Sequence, residues 1–544
     1  MNRADLIVTN ARIYTAEGPE PWAEALASAQ GRILAVGSRG DVELLGSVGA
    51  RVFDAGGRTI LPGFVDAHVH LLFAYELGDW IDLTDHPSLS EVQRRVRAYA
   101  RDHPQLAVIV GYGFDYQALI ERGLPGRHDL DAAVDDRPVM LHSWDGHTAW
   151  TNGRFVELAE KHFQKLGHEV GDPVRDSSTG EPTGIFRLGF DLSLPELATL
   201  RSLDGLRRML QTAARFGITT AFDVQVPLED IEGYGTLQAR GELPIRIQVA
   251  FYHPRGTPPS AYSQFRLTSE RCAGDRLRAG SVKLYIDGVQ ETYTASLLEP
   301  YSDRPDTRGE TVYTDEEFRR IVRDLDRAGF QLLTHACGDR GVRIALDAYE
   351  ALGSERSPQD RRHRIEHCEN VSPGDLDRFA RAGVIPCMMP HHSAPELTRR
   401  WRQTMGDARW QAGFPWKELL DRSARLAFSS DWPVADLNPF VHLKSAVTRR
   451  DADGNPSPHR LTVRQAIDAY TRGAAYASRC ENDRGTLAPG NLCDLIVLSE
   501  NPFAIAPDQL DKIRVLLTLV DGRVAYADTS AVDIRDLPTT IGKR

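Results

Sequence analysis

Two histidines two residues apart, His68 and His70, close an apolar run that begins at Ile60. On a strand, positions i and i+2 project to one face, so this spacing can aim two neutral imidazoles at one metal ion. Four further residues able to ligate or respond to a cation occupy similar surroundings. Lys283 lies within Ser281-Val282-Lys283-Leu284-Tyr285, His335 follows Leu332-Leu333-Thr334, His367 follows Ile365-Glu366, and Asp431 stands between Ser430 and Trp432-Pro433. Each has a plainer reading. A single strand-end histidine is commonly a hydrogen-bonded core residue, a lysine among apolar neighbours can snorkel, and an aspartate before Trp-Pro can be turn chemistry. They make a metal site only if one fold brings these strand ends together.

The middle of the chain alternates apolar strands with amphipathic helices, the grammar of a parallel α/β sheet. The expected strands are Ile60 to His68, Ile218 to Val224, Ile245 to Tyr252, Ser281 to Asp287, Phe330 to Ala336, His363 to His367, Val384 to Met389 and Leu426 to Ser430. Helix starts between them are marked by capping boxes at Thr314 to Glu317 and Thr462 to Gln465, and by Ser372-Pro373. Eight strands in helix alternation predict a (β/α)8 TIM barrel, whose active sites sit at the C-terminal strand ends. His68, His70, Lys283, His335, His367 and Asp431 all arrive there.

The stretch between the first and second barrel strands is far longer than one helix needs. It carries strand-like runs at Ala107 to Val110 and Pro138 to His142 and its own cap at Ser88 to Glu91, so residues 75–201 are expected to form an insertion roofing the pocket. Both chain ends read as short strands broken by turns, with an Asp521-Gly522 hairpin signal. A small β-sandwich domain built from residues 1–60 and 484–544 is therefore expected around a barrel domain of residues 61–483.

The 544 residues are 41% hydrophobic and 26% charged, the balance of a soluble globular protein. A net charge of −11 argues against nucleic acid or an anionic membrane as partner. Six cysteines scattered singly, with no apolar leader or membrane-length run, point to the cytoplasm.

The motifs resemble the amidohydrolase superfamily, specifically its amidohydrolase-3 branch, which includes N-substituted formamide deformylases. The resemblance rests on Leu61-Pro62-Gly63-Phe64-Val65-Asp66-Ala67-His68-Val69-His70, Lys283 with Asp287-Gly288, and Thr294-Ala295 with Glu299-Pro300-Tyr301. It continues through His335 to Asp339, Arg364 to His367, Ser430 to Pro433 and Gly485 to Gly490. It implies a binuclear centre of two divalent ions, zinc being the expected metal. His68, His70 and Asp431 would hold one ion, His335 and His367 the other, with a carboxylated Lys283 bridging them. A carbamate is an anion with two oxygen donors, whereas an ammonium repels cations; burial favours the neutral amine that CO2 attacks. Asp431 would also be general base and then acid. The implied reaction is hydrolysis of a non-peptide C–N bond in an amide or N-acyl amine. Ester or cyclic-amide hydrolysis and deamination use the same centre, and a non-catalytic scaffold is the rival class. A small-molecule substrate and a homodimer are further expectations of the family.

In the insertion, His147 within Asp145-Gly146-His147 and Tyr112 are the expected substrate contacts, although a loop histidine can equally satisfy backbone groups. Phe114 and Leu188 depart from the family's common Trp and Glu. Asp66 and Asp339 fit either an orienting role or turn chemistry. His391-His392 can reach the pocket, with at least one of the pair expected at the surface.

Overall fold

A computed structural model describes residues 3–72, 80–84, 88–114, 125–143, 148–166, 174–187, 202–353, 357–395, 397–451, 454–535 and 537–538. Its centre is an eight-stranded sheet of β1 (Phe64–Val69), β2 (Ile218–Val226), β3 (Arg246–Tyr252), β4 (Leu277–Tyr285), β5 (Gln331–Ala336), β6 (Arg364–His367), β7 (Ile385–Met388) and β8 (Ala427–Phe428). Neighbours pair in chain order and every pairing is parallel. Just past the strands, Asp431 N–H donates to His68 O and His70 N–H donates to Trp432 O, both at 2.8 Å, joining the first strand to the last. This is the barrel expected from the alternating pattern. The capping boxes form at Thr314/Glu317 and Thr462/Gln465, opening the helices Asp315–Arg327 and Val463–Asp468.

The run read as one strand from Ile60 to His68 is two strands in two sheets. Thr59–Pro62 pairs with Leu495–Leu498, and β1 begins only at Phe64. Gly63 makes the switch possible, because a Cβ there would meet Thr219 Cγ2 at 2.2 Å. Apolar patterning alone cannot reveal such a break.

The two chain ends build a four-stranded and a six-stranded sheet. Leu6, Val8, Leu26 and Phe53 of the first share one core with Ile13, Ile60, Leu495, Val497 and Leu517 of the second. The Asp521-Gly522 hairpin joins Val515–Val520 to Arg523–Ala527, and both turn residues have positive φ, 55° and 68°.

Between β1 and β2 lies a five-stranded sheet in the order Ile185–Arg187, Thr148–Thr151, Val139–Ser143, Ile109–Phe114, Ile81–Asp82. Alternate residues divide its faces. Ile109, Val139, Leu141, Trp150 and Ile185 pack with Val92 and Val96 of the helix Leu89–Asp102. Val108, Val110, Met140, Ala149 and Phe186 pack with Phe155 and Val156 of the helix Gly153–Leu166. Among the described residues no helix is long and apolar enough to cross a membrane. All six cysteines are buried thiols.

Candidate metal centre

The C-terminal strand ends bring six of the singled-out side chains together. Asp431 Oδ1 lies 3.2 Å from His68 Nε2 and 3.1 Å from His70 Nε2, while Oδ2 lies 3.7 Å from His367 Nδ1. Lys283 Nζ is 3.3 Å from His68 Nε2, and the His335 and His367 rings are centred 4.3 Å apart. All six residues are buried. Two of them sit in backbone conformations that L residues rarely adopt: φ is 73° at His367 and 57° at Asp431. Each costs about 1–3 kcal/mol, and such strain concentrates at functional sites.

The site's polar support is equally buried. His68 Nδ1 lies 2.5 Å from Glu366 Oε2, and Arg364 clasps both Glu366 oxygens at 2.8 Å while donating to Ala67 O at 2.7 Å. Burial pushes the Glu366 carboxyl up, but Arg364 and His68 more than offset this and hold it well below the usual carboxylate range. Glu366 is thus a fixed anion that draws the His68 proton to Nδ1 and leaves the Nε2 lone pair facing Lys283 and Asp431. His335 Nε2 lies 3.1 Å from Gly288 O, an acceptor, so the proton belongs on Nε2 and the lone pair on Nδ1. Burial pushes the Lys283 amine down to about 8 against the pull of Glu366 and Asp431, and pushes His70 down to about 4.

These donors fit divalent cations. His68, His367 and Asp431 each offer a ligand atom within 4.8 Å of the others, and so do His335, Cys337 and His367. His367 Nε2 and Asp431 Oδ1 are buried without a hydrogen-bond partner among the described residues. A carboxylate oxygen facing imidazole lone pairs is repulsive unless a proton or a cation lies among them.

Asp66 accepts from His68 N–H at 3.3 Å and from Ser430 N–H at 3.1 Å, tying β1 to the segment that carries Asp431. Asp339, the first residue of the helix Asp339–Glu350, accepts from Leu298 and Arg340 N–H at 2.9 and 3.0 Å, tying the loop after β4 to the start of that helix. The expectation that His391 or His392 lies at the surface is corrected. Both are partly buried, because the Pro390–Ser393 turn packs on the helix Pro439–Thr448, where His391 Nδ1 lies 3.1 Å from Ser445 Oγ. His392 lies between Asp431 Oδ2 at 3.5 Å and Glu369 Oε1 at 3.3 Å, with its ring stacked on His367.

Tyr112 is placed in the insertion sheet, in register with Asp82 on one side and His142 on the other. His147 and Leu188 lie outside the described residues. Sequence reasoning passed over Glu366 and Arg364. Their signal is two opposite charges at i and i+2, on one face of the short strand Arg364-Ile365-Glu366-His367, a pattern tolerable in a buried strand only when they pair. It also passed over Tyr285, two residues beyond Lys283, whose ring stacks on His335 at 4.8 Å and whose hydroxyl donates to Gln225.

The profile of the Amidohydrolase family matches residues 51–526. The Arabidopsis thaliana protein LONG AFTER FAR-RED 3 is 28% identical across 96% of this chain and 92% of its own length. N-substituted formamide deformylase of Arthrobacter pascens is 27% identical across 97% and 99%. The crystal structure of a metal-dependent hydrolase from Pyrococcus furiosus superposes with a TM-score of 0.69 at 26% identity, over 92% of this chain and 99% of that one.

Proposed function

Because the chain belongs to the amidohydrolase family, we propose that it hydrolyses a non-peptide C–N bond, in an amide or N-acyl amine, with two divalent ions, zinc foremost, as cofactors. The observation that carries this reading is the convergence of His68, His70, Lys283, His335, His367 and Asp431 at one end of the barrel. The candidate ligand atoms form two groups that meet at His367, one with His68 and Asp431 and one with His335 and Cys337, which supports a metal at this barrel end. The relation to a formamide deformylase along the whole chain supports an N-acyl amine as substrate.

In this reading His68, His70 and Asp431 would hold one ion and His335 and His367 the other, with a carboxylated Lys283 supplying further oxygen ligands. When bound, the ions supply an activated water and polarise the substrate carbonyl. Asp431 takes a proton from the attacking water and delivers it to the departing nitrogen, a base and then an acid in one turnover. Glu366, clamped by Arg364, keeps the His68 proton on Nδ1 and the ring aimed. Lys283 contributes no cation to the site once carboxylated. The insertion sheet, with Tyr112, contributes the substrate pocket.

Elemental analysis of protein never exposed to chelator tests the metal content, with about two transition-metal ions per chain expected. A panel of N-formyl, N-acetyl and longer N-acyl amines then tests the reaction, with release of free amine as the readout. Protein that holds both ions and releases no amine from any member would refute the substrate class.

A further inference from the structure

A second polar cavity lies at the opposite end of the barrel from the histidines. Its volume is about 810 Å3, and it is bounded by the barrel base and both terminal sheets. Arg246, the first residue of β3, forms its floor and pairs with Asp494 and Asp521. Asp521 also receives Arg276 at 2.5 Å, so the floor carboxylates are already engaged.

Arg484 is different. Its side chain is only 3% exposed, yet among the described residues its one ion pair is from Nε to Asp483 at 3.2 Å. That contact does not reach hydrogen-bond geometry: Nε is buried without a hydrogen-bond partner among the described residues, and the residue lines the cavity. A buried guanidinium with unmet donors is costly, and an oxyanion satisfies it in fork geometry. Three more arginines stand at the rim. Arg32 begins one strand of the four-stranded sheet, Arg51 lies in another, and Arg523 begins the strand after the Asp521-Gly522 turn. All three are exposed and, among the described residues, none has a carboxylate within ion-pair distance. The lining also includes Asp5, which accepts from Gln30 N–H at 2.8 Å, and the exposed Asp275. The five lining arginines still exceed the four lining aspartates, and two of those aspartates are paired.

We infer that this cavity binds a small oxyanion, phosphate-like or carboxylate, held by Arg484 from below and by Arg32, Arg51 and Arg523 from the rim. The ligand would join the barrel to both terminal sheets, remote from the candidate metal centre. Such a site is independent of the reaction proposed above.

The test is calorimetric titration of the full-length, metal-replete protein with inorganic phosphate and, separately, succinate, at about 0.15 M salt so that diffuse attraction is screened. The comparison is the double variant Arg51→Ala/Arg523→Ala, chosen because both side chains are exposed and their loss spares the fold. Saturable binding of either anion by the wild type, weakened about tenfold or more in the variant, is the expected result. Binding of phosphate alone points to a phosphate ester as natural ligand, and of succinate alone to a carboxylate. Equal affinity in wild type and variant would place the anion elsewhere and overturn the inference. So would the absence of binding by either anion at millimolar concentration.

Discussion

Glu366→Gln isolates the role of a carboxylate that touches no substrate. The amide keeps an acceptor for the His68 Nδ1 proton but loses the charge that Arg364 clasps at 2.8 Å through two nitrogens. Arg364 and Glu366 are both fully buried, so the variant strands a guanidinium in the barrel interior. Breaking such a pair by changing one partner costs about 3–5 kcal/mol. The metal-binding consequence is separate: a partner that orients a ligating histidine contributes roughly 10–100-fold in affinity. Urea unfolding would measure the first quantity, and competition with a chromophoric chelator the second. Repeating both in an Arg364→Met background divides the causes. There no orphaned cation remains, so the stability loss from Glu366→Gln should shrink by about 2 kcal/mol or more, while the loss of metal affinity persists. Metal affinity within twofold of wild type in the single variant would refute the orienting role. An equal stability loss in both backgrounds would refute the pairing argument.

Lys283→Ala should lose metal and activity together, and acetate or propionate should restore part of both by standing in for the carbamate; a metal-replete, active variant would contradict the bridging role. Asp431→Asn should lower kcat by about 10²–10⁴-fold, read by steady-state kinetics on metal-loaded protein. Chelator treatment should abolish turnover and lower the melting temperature, with zinc restoring both, because an ion bound only by the folded state stabilises it. Burial pushes the Asp223 carboxyl up to about 8 from the ordinary 3.8. Between those values the folded chain keeps a proton that the unfolded chain releases, so this residue's stabilising contribution is complete below about pH 4 and is lost as pH rises through 8. Urea melts at pH 5, 7 and 8.5 should show Asp223→Asn with a shallower decline than wild type.

The barrel was legible because its strands are buried on both faces and read as apolar runs between well-capped helices. β5 and β6 lie within a residue of the runs read at Phe330 to Ala336 and His363 to His367. The switch at Gly63 was not, since it depends on where Thr219 and Asp494 lie, and neither is near in sequence. At the site, the residues that converge were visible because His-x-His and a lysine in an apolar strand are unusual. The support was harder to see. Glu366 stands beside His367 in sequence but serves His68, and that pairing across the barrel has no local signature. His392 was masked by its neighbour: of two adjacent histidines, patterning does not say which one turns inward.

The junction between β1 and the segment after β8 has a consequence for how the chain matures. Asp66 reaches Ser430 across 364 positions of sequence, and the His68 and Asp431 backbones meet at the same seam. Contacts so distant along the chain form late in folding, because the loop they close is long. A nascent or truncated chain with seven strands in place still lacks Asp431 and has no closed seam. On the ligand set proposed above, tight cation capture needs both ends of the barrel, and a chain ending before Asp431 is expected to hold metal more weakly than the full chain.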